Sequence, residues 1–277
     1  MKAKIRFSKL VGAGNDFVLV DNRKKLFGSP RALARLAVEI CDRRRGAGAD
    51  GLLALERSRL ADVRMRFFNA DGSEGEMCGN GARCFAYFVS RDRKKRSLKV
   101  EIETKAGIVS AVVQGRAVKV KLTSPRDAAL DLPLRLSGRT LRVHFINTGV
   151  PHAVLFVKSL ERVDIDGLGR RIRFHPRFAP AGTNVNFVQT MGPGDIRVRT
   201  YERGVEAETL ACGTGSTAAA LILSLKSGGN QRLVRVHTWG GEILNVFFRR
   251  KGAAFEDVWL EGQARIVYTG SYSASFL

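Results

Sequence analysis

Apolar and polar residues alternate along several short segments of the chain, and other segments are rich in β-branched residues. Both patterns are typical of strands, because successive side chains of a strand point to opposite faces of its sheet. In the first half of the chain they predict strands at Phe17–Val20, Gly51–Glu56, Val63–Asn69, Leu98–Thr104 and Val109–Leu122.

Two further segments, residues 82–89 and 218–225, are apolar on nearly every side. A helix that is apolar all round is buried, so we expect two central helices, each wrapped by its own sheet. A third helix is predicted from Pro30 to about Arg43. Ser29 suits the N-cap of this helix, proline is favoured at the first helical position, and Gly46 follows the expected end.

The second half of the sequence resembles the first half at a shift of about 134 residues. A Cys-Gly-x-Gly sequence at residues 78–81 returns at residues 212–215, and segments on either side of it return in the same order. Such collinear matches indicate an internal duplication. The fold class that follows is α/β (α+β), with two pseudo-symmetric domains, each a mixed or antiparallel sheet around a central helix.

The charge balance raises the question of a polyanionic partner. The 277 residues include 47 Lys and Arg against 26 Asp and Glu, a formal net charge of +21, while 44% of the residues are hydrophobic. This composition excludes a disordered chain and a small disulfide scaffold. The basic residues stand in short clusters, interpreted as solvated ends of elements, and no zinc-finger spacing or long basic helix accompanies them. We therefore do not expect a nucleic-acid partner.

The lengths of the apolar segments and the spacing of the cysteines indicate where in the cell the protein is expected. The longest stretch without a charge, Thr209–Leu225, contains Gly, Ser and Thr and is shorter than the roughly 20 apolar residues that span a bilayer. The N-terminal residues lack the apolar core of a signal peptide. The four cysteines form no Cys-x-x-Cys pair and have no histidine at metal-ligand spacing. We expect a cytoplasmic protein with reduced thiols, no membrane partner and no metal.

The chemical signal is the cysteine that stands directly before each predicted central helix. Glycines let a ligand approach the backbone, and the first N–H groups of a helix attract an anion such as a carboxylate. The same position favours a thiolate. Two thiols on opposite sides of one carbon invert its configuration when one removes a proton and the other donates one. The helix starts then stabilise the carbanion, so we expect no cofactor.

Long motifs around both cysteines resemble the diaminopimelate epimerase family. Residues 69–74 with 76–84, and residues 201–204 with 208–215, are similar to its two cysteine signatures, and segments elsewhere agree over nearly the whole chain. The resemblance implies two α/β domains with the active site in the cleft between them. It also implies cofactor-independent interconversion of LL- and meso-diaminopimelate, in lysine and peptidoglycan precursor synthesis, by a homodimer.

The resemblance also implies roles for individual residues. Cys78 and Cys212 would be the acid/base thiols, and His152 and Glu202 would adjust thiol pKa values. Cys84, six residues after Cys78 on the same predicted helix, is interpreted from its position as a packing residue. Many members carry Asn before the Pro-His pair, where this chain has Val150. The residues expected to bind substrate are Asn15, Asn69, Gly79, Asn80, Asn184, Glu202, Arg203, Gly213 and Thr214.

The sequence also predicts the bounds of the two domains, and it leaves two alternative functions open. A proline after the strand ending near Ser124 places the first domain at residues 1–124, completed by residues 266–277, and the second at residues 125–265. The enzyme alternative is a related two-thiol racemase of another amino acid, of histidine or proline type, which Val150 motivates. The non-enzyme alternative is a basic nucleic-acid-binding protein on the same scaffold, which the net charge motivates.

Overall fold

The computed structural model describes residues 4–136, 138–229 and 231–275. Contacts between residues divide the chain into two compact units, the first comprising Met1–Val120 with Gly262–Leu277 and the second Lys121–Glu261. The predicted domain breaks, after residues 124 and 265, lie four residues farther along the chain than these two divisions. The outer ends of the predicted domains, residues 1 and 277, lie outside the described residues.

The first unit is built from a sheet and two helices in its described part, α1 (Pro30–Cys41) and α2 (Gly79–Asp92). Its strands pair in the order β18–β1–β2–β3–β4–β6–β7–β8, and the short β5 is added to β4. The pairs β2–β3 and β4–β6 are parallel and the others antiparallel. The strands are β1 (Lys4–Gly12), β2 (Asn15–Asp21), β3 (Gly51–Glu56), β4 (Val63–Asn69), β5 (Glu74–Gly75), β6 (Ser97–Thr104), β7 (Gly107–Gln114), β8 (Ala117–Lys121) and β18 (Arg265–Ser273).

The second unit has the same plan, with helices α3 (Ile165–Arg173) and α4 (Gly213–Ser227). Its strands pair in the order β9–β10–β11–β12–β13–β15–β16–β17, and the short β14 is added to β13. The pairs β11–β12 and β13–β15 are parallel. The strands are β9 (Arg126–Leu136), β10 (Arg139–Asn147), β11 (Pro151–Phe156), β12 (Asn184–Gly192), β13 (Asp195–Glu202), β14 (Ala207–Thr209), β15 (Leu233–Thr238), β16 (Ile243–Lys251) and β17 (Ala254–Gln263).

The two strand orders correspond strand for strand, including the positions of the two parallel pairs. The predicted duplication and the predicted fold class are thereby confirmed. The units differ in how the first strand of the order is supplied. In the second unit β9 precedes its neighbour β10 in the chain, whereas in the first unit β18, from the C-terminal end, takes that place beside β1.

Each sheet curls around one central helix, as the apolar sequences predicted. Helix α2 packs against β18 at one end of its sheet, against β7 near the other, and against strands between them. Helix α4 contacts strands from β9 to β16 in the same way. Alanine, leucine and isoleucine fill α4 on every side, so most of its residues are buried. Within the described ranges, no helix is long and apolar enough to cross a membrane.

The outer face of each sheet carries a second, amphipathic helix. Helix α1 begins at Pro30 with Ser29 as N-cap, as predicted, and it ends two residues before the predicted Arg43. Sequence patterns did not predict α3, which contains two glycines and few apolar residues. One of these glycines, Gly169, lets α3 approach the sheet, because a Cβ there would lie 2.6 Å from Tyr201 Cβ.

The strand predictions were close, with one error. Residues 51–56 and 63–69 match β3 and β4, while β2 and β6 are one or two residues longer at their ends than predicted. Residues 109–122 do not form one strand, because β7 and β8 are joined by a two-residue turn between Gln114 and Ala117. Gly115 in this turn has φ of 63°, a left-handed conformation that glycine adopts without a steric penalty.

The interpretation of basic clusters as solvated ends is wrong for Arg173 but not for Arg43, whose side chain is 60% exposed. Arg43 donates to carboxylates of Asp16 and Asp50, at 2.8 and 2.7 Å. Arg173 has a side chain only 13% exposed and lies 3.0 Å from a carboxylate oxygen of Glu206. Part of the positive charge therefore neutralises carboxylates within the units.

Candidate active site

Each of the two repeated cysteines is the N-cap of its central helix. Cys78 precedes α2 with φ of −133° and ψ of 119°, and Cys212 precedes α4 with φ of −121° and ψ of 113°. Each sulfur accepts a hydrogen bond from the backbone N–H three residues later, of Gly81 and of Gly215, at 3.4 Å in both cases. The duplicated sequence thus produces duplicated local geometry.

The start of each helix also offers backbone donors. Besides the N–H bound to sulfur, Ala82 N–H donates to Cys78 O and Ser216 N–H donates to Cys212 O. The first N–H groups of a helix have no intrahelical acceptor, so the two residues after each cysteine supply N–H groups at the positive end of the helix dipole. These residues are the predicted carboxylate-binding Gly79, Asn80, Gly213 and Thr214.

Cys212 lies in a buried and electrostatically negative setting. Burial, and then the carboxylate of Glu202, raise the pKa of the Cys212 thiol to about 12, although hydrogen bonds from Thr214 and Gly215 act in the opposite direction. The Thr214 hydroxyl lies 3.5 Å from the sulfur. Burial also raises the pKa of Glu202, and the nearby Thr209 hydroxyl partly offsets this effect. The thiol therefore keeps its proton at neutral pH in the absence of a ligand.

His152, predicted to adjust a thiol, is fully buried and neutral. Burial, helped by the charge of Arg203, lowers the pKa of His152 to about 3. Its Nδ1 lies 3.1 Å from Asn186 Nδ2, and the same amide nitrogen donates to Ala153 O at 3.0 Å. A carbonyl only accepts, so the Asn186 atom is the donor and His152 Nδ1 the acceptor. The proton of the neutral ring is then on Nε2, which is buried without a hydrogen-bond partner in the described part of the chain.

Asn186 was not predicted from the sequence, although it stands two residues after the predicted Asn184. Its oxygen accepts from the Thr200 hydroxyl at 3.0 Å, so its one amide joins β11, β12 and β13. The same oxygen lies beside the start of α4, where a Cβ on Gly215 would be only 2.2 Å away. Glycine at this position lets the helix start approach the amide.

The predicted Asn184 and Arg203 are neighbours in the second unit. Asn184 Nδ2 donates to Pro151 O at 3.0 Å, and its Oδ1 accepts from Arg203 N–H at 2.9 Å. Asn184 therefore ties the start of β12 to the turn that follows β13. The Arg203 guanidinium donates to Ala181 O at 3.3 Å. Val150, the departure from the family pattern, lies in the turn between β10 and β11, where its carbonyl accepts from Thr148 N–H at 3.1 Å.

In the first unit, the predicted Asn15 and Asn80 are hydrogen-bonded to each other. Asn80 Nδ2 donates to Asn15 Oδ1 at 2.6 Å, and Arg83 Nη2 donates to Asn80 Oδ1 at 2.6 Å. Arg83, five residues after Cys78 on α2, is fully buried, and sequence patterns did not indicate a role for it. Asn69 is the last residue of β4, and its amide donates to Ser73 Oγ at 2.9 Å.

Each unit also has an ion pair that braces the segment leading to its cysteine. Arg66 forms two parallel hydrogen bonds with Glu74, at 2.8 and 2.9 Å, and Arg199 forms the same pair with Glu208, at 2.6 and 2.7 Å. Both pairs cross the small hairpin that ends a few residues before the cysteine. Sequence inspection missed them because each residue alone is one charge among many.

The predicted site residues thus form one group in each unit. Asn15, Asn69, Gly79 and Asn80 lie in the same unit as Cys78. The residues in the same unit as Cys212 are His152, Asn184, Glu202, Arg203, Gly213 and Thr214. Among the described residues, no group of three or more His, Cys, Asp or Glu side chains could hold a metal ion.

Comparison with known proteins gives a family match over most of the chain. The family model described as diaminopimelate epimerase matches residues 7–126 and 144–266. A diaminopimelate epimerase from Aquifex aeolicus (strain VF5) is 44% identical in an alignment 282 residues long. The alignment covers 99% of this chain and 99% of that protein.

Solved structures with much lower identity share the fold. A phenazine biosynthesis protein of the PhzF family from Bacillus anthracis superposes with a TM-score of 0.75 at 17% identity, over 98% of this chain and 99% of that one. A probable proline racemase from Agrobacterium radiobacter K84, with bound carbonate, gives a TM-score of 0.71 at 16% identity, over 98% and 93% of the two chains.

Proposed function

The chain belongs to the diaminopimelate epimerase family, and from this premise we propose that it is an isomerase acting in lysine and peptidoglycan precursor synthesis. It interconverts LL-2,6-diaminopimelate and meso-diaminopimelate, and it uses no cofactor. The observation that carries the mechanism is the pair of thiols at the same helix position in two duplicated units.

Cys78 and Cys212 are the two catalytic groups in this proposal. One sulfur takes the proton as the α-carbon–hydrogen bond breaks, and the other thiol gives its proton to the opposite face of the carbon. Burial and Glu202 raise the pKa of Cys212 to about 12, so Cys212 is the acid in the enzyme that has not yet bound substrate. Cys78 is then the base, and the two roles exchange in the reverse direction.

The α-carboxylate binds at the helix starts. The donors to this carboxylate are the backbone N–H groups of Gly79 and Asn80 at the start of α2, and of Gly213 and Thr214 at the start of α4. Negative charge that leaves the α-carbon spreads onto this carboxylate as the carbanion forms. Donors fixed before the reaction stabilise that charge without reorganising, which lowers the barrier.

Polar side chains recognise the remaining groups of the substrate. Arg203 presents a guanidinium that suits a second carboxylate, since its N–H groups match two carboxylate oxygens. Asn15, Asn69, Asn184 and Glu202 line the site and bind amino and carboxylate groups. Discrimination at the distal end depends on these residues, because Val150 supplies no side-chain amide.

His152 acts on this site as a neutral hydrogen-bond donor. Burial lowers its pKa to about 3 and so keeps the ring uncharged near neutral pH. Its Nδ1 is occupied by Asn186, so the Nε2–H group is the one that can stabilise a thiolate or a bound carboxylate. Glu202 has the opposite effect on the thiolate, because its carboxylate disfavours a second negative charge and so raises the pKa of Cys212.

The test uses purified protein with LL-diaminopimelate in deuterated buffer under reductant. We expect meso product that carries α-deuterium, measured together by NMR and chiral chromatography. Cys78→Ala and Cys212→Ala should each abolish net epimerisation, while Cys84→Ala, the same change farther along α2, should retain it. Full turnover by either of the first two variants would contradict the two-thiol mechanism. A panel that includes proline and histidine tests the alternative substrates.

Assembly and compartment are part of the same proposal. We expect a homodimer, which light scattering after size-exclusion chromatography measures directly. We also expect the enzyme in the cytoplasm, where its four cysteines stay reduced, and cell fractionation with an antibody tests this. A monomer with full activity would remove the dimer from the proposal without affecting the reaction.

A further inference from the structure

A chain of side-chain hydrogen bonds runs from the interior of the first unit to its surface. Arg83 Nη2 donates to Asn80, Asn80 donates to Asn15, and Asn15 Nδ2 donates to Asp50 Oδ2 at 2.9 Å. Arg43 closes the chain, with its Nη2 atom 2.7 Å from Asp50 Oδ1. Asn15 is one of the residues proposed to contact substrate, and Asp50 is the acceptor that faces its amide nitrogen.

The two ends of this chain determine the orientation of both amides. A guanidinium only donates, so the Asn80 atom that faces Arg83 is its oxygen and the atom that faces Asn15 is its nitrogen. Asn15 must then present its oxygen to Asn80 and its nitrogen to Asp50. A carboxylate only accepts, so the last contact agrees with the first. Neither amide can rotate by 180° without opposing two donors or two acceptors.

Asn80 has no side-chain donor left for a ligand. Its second amide hydrogen lies toward Ala13 O, at 3.4 Å, and its oxygen is occupied by Arg83. Ala13 has φ of 51° and Gly14 has φ of 81°, so the two-residue turn between β1 and β2 is one that few side chains tolerate. Asn80 holds this turn to α2, and its backbone N–H remains for the substrate carboxylate.

Asn15 differs from Asn80, because one amide hydrogen and one oxygen lone pair of its side chain remain available to a ligand. Asp50 sets the direction of this hydrogen and this lone pair, because its Oδ2 accepts both from the Asn15 amide at 2.9 Å and from Asp16 N–H at 3.1 Å. The carboxylate thus fixes the amide relative to the backbone that carries it. Arg43 holds the carboxylate from the other side and binds Asp16 as well.

We propose that Asp50 is a positioning residue for the epimerisation and acts on substrate binding through Asn15, whose amide it orients while Arg43 holds its carboxylate in place. The inference rests on the proposed function, because it assumes that Asn15 contacts diaminopimelate. Asp50 itself touches no substrate. Its removal leaves the Asn15 amide free to rotate, so the remaining donor and acceptor of Asn15 are misplaced for much of the time.

A double-mutant cycle with steady-state kinetics tests this. We expect Asp50→Ala to lower kcat/KM about ten-fold, the loss of one well-made hydrogen bond, chiefly through a higher KM. In an Asn15→Ala background, the same change should alter kcat/KM by less than about two-fold, because the group on which Asp50 acts is gone. A residue with only a structural role would give the full loss in both backgrounds.

Two further variants control the cycle. Asp50→Asn keeps an oxygen that can accept from Asn15, and we expect it to restore kcat/KM to within about three-fold of the wild type. Asp62→Ala removes another carboxylate of the same unit, which accepts from Glu101 N–H at 2.9 Å and faces Arg93 at 4.0 Å. It should leave kcat/KM unchanged. Asp50→Ser replaces Asp50→Ala if the latter does not fold by circular dichroism.

The outcomes separate this inference from the function on which it rests. A wild-type protein that does not epimerise diaminopimelate overturns the proposed function before any variant is made. With an active wild type, equal losses from Asp50→Ala in both backgrounds overturn the positioning role. Loss of activity in Asp50→Asn as large as in Asp50→Ala also overturns it, and so does full activity of Asn15→Ala.

Discussion

The buried, neutral His152 should make the free energy of unfolding of the second unit depend on pH. The substitution His152→Gln should remove this contribution. His152 is fully buried with a pKa of about 3, whereas an exposed histidine in the unfolded chain has a pKa near 6.5. Between these two values the unfolded chain binds a proton that the folded chain does not. The free energy of unfolding must therefore fall as the pH drops below about 6.5.

The size of the effect follows from the two pKa values. At pH 5.5 protonation stabilises the unfolded state by RT ln(1 + 10), which is about 1.4 kcal/mol, and at pH 7.5 by less than about 0.1 kcal/mol. The folded state gains almost nothing at either pH, because its pKa is about 3. His152→Gln removes the titrating group and keeps an oxygen that can accept from Asn186. The wild type should thus lose about 1.4 kcal/mol more than the variant on going from pH 7.5 to 5.5.

Urea unfolding of both proteins at both pH values measures this difference. Trp239 and Trp259, the two tryptophans of the chain, belong to the same unit as His152, so their fluorescence reports on that unit. Other titrating groups contribute equally to the two proteins and cancel in the comparison. The same pH dependence in wild type and variant would refute the assignment of a buried neutral ring.

Three further predictions concern the helix start, the ion-pair network and the thiols. Gly215→Ala should lower the melting temperature by several degrees, since its Cβ would lie 2.2 Å from Asn186 Oδ1; an unchanged melting temperature would contradict the close approach. Burial would raise the pKa of Asp16, but hydrogen bonds from Arg43 and Lys9 outweigh it and lower that pKa to about 2. Asp16→Asn should then cost about 1 kcal/mol at pH 5 after solvent screening, a difference that shrinks as the pH falls from about 4 toward 2 in acid unfolding curves. Oxidation should join Cys78 to Cys212 and inactivate the enzyme until reductant is added, because both sulfurs act on one carbon in the proposed mechanism; peptide mapping that finds both thiols free in oxidised, inactive protein would exclude this.

Local signals made much of the fold predictable. Ser29 and Pro30 mark the start of α1 because capping depends only on neighbouring residues. The short apolar run of β3 and the alternation of β4 indicate the bounds of these strands in the same way. Helix α3 escaped prediction because Gly169, which weakens its helical pattern, is required by contact with Tyr201, a residue far away in the sequence.

The same distinction applies to the candidate site. The two cysteines were visible because a Cys-Gly-x-Gly sequence before an apolar helix is a local signal that occurs twice. Asp50 and Asn186 were not visible, since their roles depend on hydrogen bonds to strands that come from other parts of the chain. Arg83 was hidden for another reason, because a sequence does not tell a buried arginine from an exposed one.

The origin of β18 has a consequence for the order in which the protein is made. The ribosome releases the first unit first, but the strand that covers the outer side of β1 is synthesised after the whole second unit. Until then β1 presents an open edge, which can pair with other chains. The second unit has all of its strands once residue 263 is made, so it completes its sheet before the first unit does. Nascent chains stalled before β18 should therefore be the stage of synthesis at which this protein most needs a chaperone.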